Sequence, residues 1–103
     1  MPKYNKLIRD NIPEIISKDN KRFLIEYVND EEDLYYYLFD KMQEEFQEFL
    51  SSGDVLELVD MVEVIITLAK MRGYDFKQFM TLRELKYVEC GGFSNIILKY
   101  VED

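Results

Sequence analysis

Leu34 to Arg72 reads LYYYLFDKMQEEFQEFLSSGDVLELVDMVEVIITLAKMR, and the fold turns on its period. Leu34, Leu38, Met42, Phe46, Phe49 and Leu50 recur at three- and four-residue intervals, the spacing of one helix face. Ser51-Ser52-Gly53-Asp54 interrupts that pattern, with Gly53 suited to stop one helix and Asp54 to cap the next. From Val55 to about Arg72, apolar residues cover nearly the whole circumference: Val55, Leu58, Val59, Val62, Ile65, Ile66, Leu68 and Ala69. The stretch predicts two long helices joined as an antiparallel hairpin. The second should be the central helix of the domain.

Working outward, Asn11 is placed to cap a short helix near 12–18, with Pro13 in its first turn. Arg22 to Val28, RFLIEYV, is aromatic and β-branched and reads as a short extended strand or arm. It must pair with the N-terminal arm or a second subunit, or be irregular. Asp75 caps a third long helix, Phe76 to about Cys90, closed by Gly91-Gly92. Its stripe of Phe76, Phe79, Met80, Tyr87 and Cys90 contains Arg83, which the projection turns inward. The tail carries Phe93, Ile96, Ile97, Leu98 and Val101 and is expected to pack back. The expected fold is all-α: an antiparallel bundle of about three to four helices, with an extended segment near 22–28. The 103 residues form a single domain without repeat or linker, and the apolarity of the second helix points to an oligomer.

Composition narrows the chemistry. There are 21 acidic against 13 basic residues, a formal net charge of −8, and no histidine. The lack of His excludes a Ser-His-Asp triad, a Cys-His pair and imidazole-ligated zinc. One Cys, Cys90, excludes an internal disulfide and a multi-Cys cluster; it reads as a small buried apolar residue. The acidity argues against a nucleic acid polymer as partner. No secretory signal is read at the N-terminus and no run is long enough to span a membrane, so a cytoplasmic protein is expected. What remains is chemistry by carboxylates, Lys, Arg, Tyr, backbone amides or a hard metal ion.

Most acidic residues fall on wet helix faces. A minority do not. On the first long helix Glu45 lies within the apolar arc and Glu48 at its edge, while on the second Glu57 and Asp60 are neighbours at i, i+3. A hairpin brings these pairs face to face. Like charges so placed disfavour folding unless cations sit among them. Lys or Arg side chains would serve, and a divalent ion would serve better. Oxygen ligands without His or Cys select Mg²⁺ or Mn²⁺.

Glu44-Glu45-Phe46-Gln47-Glu48 followed by Glu57-Leu58-Val59-Asp60 resembles the EExxE…ExxD signature of the MazG-type all-α nucleoside triphosphate pyrophosphohydrolases. Tyr4 to Pro13, YNKLIRDNIP, and Gly91-Gly92-Phe93 are similar to the phosphoribosyl-ATP pyrophosphohydrolase-like branch. The resemblance implies a Mg²⁺-dependent enzyme that cleaves nucleoside triphosphates between the α- and β-phosphates, and a homodimer or homotetramer. By position, Glu45, Glu48, Glu57 and Asp60 match metal-binding acids, with Glu45 and Glu48 also taken as catalytic. Lys86, Arg83 and Arg9 match phosphate-contacting cations. Cys90 departs from the pattern, standing where a basic residue is expected before Gly-Gly-Phe. Base-binding residues are not assigned, with Tyr35, Tyr36, Phe39 and Phe93 only candidates. Two alternatives stay open: a non-catalytic oligomerisation or binding module of the same fold, and phosphoribosyl-ATP pyrophosphohydrolase of histidine synthesis.

Overall fold

Four α-helices follow one another along the chain, and no strand occurs among the described residues, 4–102, of this computed structural model. They are α1 (Ile12–Lys18), α2 (Glu31–Ser52), α3 (Val55–Met71) and α4 (Phe76–Cys90). The fold is all-α, and each long helix lies within two residues of the sequence expectation.

Local chemistry sets the boundaries. At the start of α2 the Asp30 carboxylate accepts from the Asp33 N–H, and Glu31, Glu32 and Asp33 meet the positive end of the dipole. Gly53 ends α2 in the left-handed region, at φ 67°, while its N–H donates to the Phe49 carbonyl. A side chain there would strain the backbone, so glycine makes the tight reversal cheap. The Asp54 carboxylate then accepts from the Leu56 N–H at 2.9 Å and opens α3. Asp75 and Gln78 form a reciprocal capping box at the start of α4. Asn11 stands at the cap position of α1, but its side chain makes no capping bond: its own backbone is already helical, which does not aim the amide at the first-turn N–H groups.

The chain divides into two compact units that part between Leu68 and Ala69, inside α3. In the first unit α2 and α3 form a hairpin across two residues, Gly53 and Asp54. The inward side of α2 runs Leu34, Leu38, Met42, Glu45 and Phe49, a period of three and four, with Leu38 only 2% exposed. On α3 the buried positions are Val64 and Ala69. Val55, Leu56, Val59 and Val62 are exposed, so α3 is not surrounded as its composition predicted. Short helices and one neighbour cover only part of a helix cylinder, and the remaining apolar sectors have no cover within one chain.

The second unit differs more from expectation. Every residue from Thr81 to Glu102 is exposed, so the tail does not pack back and Cys90 is not buried. Arg83 does not point into a core either: it lies in solvent beside Glu84, at 2.7 Å, with its guanidinium 5.9 Å from the Tyr87 ring centre. Leu82, Leu85 and Val88 lie off the stripe of Phe76, Phe79 and Tyr87. Apolar residues thus surround α4 on all sides, and its helical phase specifies no single inward face. The segment 22–28 forms neither helix nor strand, the irregular outcome of the three expected.

Candidate metal centre

The α2–α3 hairpin brings Glu45, Glu57 and Asp60 together, each offering a carboxylate oxygen within 4.8 Å of the others. Register produces this. Glu45 sits on the inward line of α2, and Glu57 and Asp60 lie one turn apart on α3, facing it across the short Gly53-Asp54 connection. Glu45 is 4% exposed, whereas Glu57 and Asp60 are half-buried. Glu48 is exposed and lies at the margin of this cluster; its carboxylate still acts on Glu57. One helical turn past Glu45, it has moved out toward solvent.

A buried carboxylate must be compensated. Lys41, one turn before Glu45, places its Nζ 3.3 Å from Glu45 Oε1 and also 3.3 Å from Glu44 Oε2. The other Glu45 oxygen, Oε2, is fully buried and receives no hydrogen bond. With both carboxylates ionised, Glu45 and Glu57 can only repel. A proton on Glu57 would let the two share a hydrogen bond, and its pKa is accordingly pushed up to about 7, first by Glu45, then by desolvation and by Glu48. A cation would relieve the same repulsion.

The N-terminal segment supplies cations from far along the chain. Arg9 Nη2 donates to Asp60 Oδ1 at 2.6 Å, and Lys6 Nζ donates to Glu44 Oε1 at 2.8 Å. Partial burial pushes Glu44 up, but Lys6 and Lys41 outweigh it and hold the carboxyl below its ordinary value. The Glu44 contact in turn raises Lys6 above its ordinary value, against desolvation. Glu44, Lys6 and Lys41 were not singled out as site residues from sequence. Lys41 was findable: its i, i+3 and i, i+4 relation to Glu44 and Glu45 is the ordinary helix ion-pair spacing.

Comparison with protein-family models, with curated proteins and with solved structures returned no match to this chain.

The donor set suits a hard divalent ion: carboxylate oxygens only, from three residues of which Glu45 is buried and carries an oxygen without a hydrogen bond. Its residues therefore fit Mg²⁺ or Mn²⁺. Of the cations expected at phosphate, Arg9 belongs to this cluster through Asp60. Arg83 and Lys86 lie in the second unit, where they line an open groove of about 460 Å³ with Leu82, Tyr87, Gly91 and Phe93. Among the described residues no helix is long and apolar enough to cross a membrane.

Proposed function

We propose that this protein is a cytoplasmic, Mg²⁺-dependent nucleoside triphosphate pyrophosphohydrolase, opening the α–β phosphoanhydride to give a nucleoside monophosphate and pyrophosphate. One observation carries the reading: the buried Glu45 carboxylate, with an oxygen that no donor satisfies, faces Glu57 and Asp60 across the hairpin. Lys41 and Arg9 offset part of this charge, and a divalent ion would compensate the rest. The resemblance of the two acid motifs, and of the segment containing Arg9, to the MazG-type pyrophosphohydrolases supplies the substrate class.

In this reading Glu45, Glu57 and Asp60 hold the ion, and Glu48 stands beside them at the solvent edge. A divalent ion there supplies neutralisation of phosphate charge in the ground and transition states. Arg9 is poised to exchange its bond with Asp60 for one with a phosphate oxygen. Arg83 and Lys86, in the second unit, enter this reading through the resemblance alone. Glu45 and Glu48 are the bases available to take the proton of an attacking water. The exposed apolar face of α3 supports assembly into a homodimer or homotetramer.

The decisive measurement is pyrophosphate release from a panel of ribo- and deoxyribonucleoside triphosphates, with Mg²⁺ and with EDTA. Mg²⁺-dependent release that Asp60→Asn and Glu48→Gln abolish is the expected result. Release that survives EDTA, or full activity in both variants, refutes the proposal.

A further inference from the structure

We propose that Lys41 is a positioning residue for the cation centre: by holding Glu45 Oε1 it leaves Glu45 Oε2 as the oxygen presented to the ion. The inference rests on the reading of Glu45, Glu57 and Asp60 as a divalent-ion site. Three observations lead to it. Lys41 Nζ lies 3.3 Å from Glu45 Oε1, and both side chains are sheltered, 17% and 6% exposed. Glu45 Oε2 is buried and accepts nothing. Lys41 is itself tied to Glu44, which Lys6 grips from the other side at 2.8 Å, so the ammonium is anchored rather than free to swing.

The physical consequence follows from the two oxygens of one carboxylate. A buried carboxylate held at neither oxygen is free to rotate toward solvent, which removes it as a ligand. A fixed ammonium on one oxygen locks the carboxylate's rotamer, which orients the second oxygen. Partners of this kind, one bond removed from the ion, are worth tenfold or more in metal affinity. Charge alone predicts the opposite: an ammonium beside the site repels a cation, so its removal should tighten binding. The two roles differ in sign.

The test is a Mn²⁺ titration of the full chain, followed by electron paramagnetic resonance of free Mn²⁺, for wild type, Lys41→Met and Lys41→Arg. Met matches the length without the charge, and Arg can still bridge Glu44 and Glu45. The expected result is about tenfold weaker binding in Lys41→Met, by the usual effect of such partners, with most of the affinity restored in Lys41→Arg. Equal or tighter binding in Lys41→Met overturns the role of Lys41. Absence of Mn²⁺ binding by the folded wild type instead overturns the reading of the site itself. Should Lys41→Met fail to fold, a crystal structure of the wild type with Mn²⁺ decides. Oε1 on Lys41 and Oε2 on the ion support the proposal, and an ion on Oε1, or a displaced Lys41, refutes it.

Discussion

Arg9 Nη2 and Asp60 Oδ1 meet at 2.6 Å although 51 positions separate them in the chain. This contact carries the N-terminal segment onto the first turns of α3 and places a guanidinium on one of the three clustered carboxylates. Both side chains keep a third or more of their surface in solvent, so the pair adds little to folding. Its effect is on the site, where Arg9 competes with any ion for Asp60. Arg9→Ala should lower stability by less than about 1 kcal/mol, measured by urea unfolding. Calorimetry should show tighter Mg²⁺ binding in the absence of nucleotide, and the KM for triphosphate should rise. A loss of Mg²⁺ affinity would contradict the competition.

Glu57 makes the metal-free protein sensitive to pH. Its ordinary pKa is 4.5, and in the folded protein it lies at about 7. Between these values the native state holds a proton that the unfolded chain has released. The stability contributed is therefore complete below about pH 4.5, declines as pH rises, and is lost above about 7. In EDTA, the difference in urea midpoint between wild type and Glu57→Gln should grow over that window, with the variant flatter. Saturating Mg²⁺ should remove the decline, since the ion replaces the proton. Parallel curves for the two proteins would disprove the assignment.

Replacing Glu45 separates stability from function. Leu fills a similar volume and has no oxygen to bury, while Lys41 retains Glu44 as a partner. Glu45→Leu should therefore stabilise the metal-free protein by about 1–3 kcal/mol, the cost of an unsatisfied buried polar group. It should also abolish any rise in Tm on adding Mg²⁺. A destabilised variant that still responds to Mg²⁺ would show that Glu45 serves packing alone.

The exposed valines of α3 test assembly. Val55, Val59 and Val62 recur along one side of the helix without cover from their own chain. Val59→Asp should convert a wild-type oligomer to a monomer in sedimentation velocity while leaving the helical circular dichroism intact. A wild type that sediments as a monomer at all concentrations would remove the oligomer from the proposal.

The helices, and the residues that share each face, follow from local sequence. Asp30, Gly53, Asp54 and Asp75 act on backbone groups within a few positions, and an apolar period of 3.6 is a local property. For the same reason the inward phase of Glu45, and its apposition to Glu57 and Asp60 across a short loop, are legible in the sequence, although α2 runs two residues further than its pattern predicts and leaves only Gly53 and Asp54 between the helices. The Lys41 contacts are equally local, made at i, i+3 and i, i+4 along α2.

What covers each face depends on packing between distant parts of the chain. Periodicity groups side chains into a stripe but cannot say whether anything packs against it, so one side of α3, Arg83, Cys90 and the tail are exposed. Nor could any local rule bring Lys6 to Glu44 or Arg9 to Asp60, contacts made across 38 and 51 positions. Such pairs depend on the path of the whole chain, and they fix the charge around the three carboxylates.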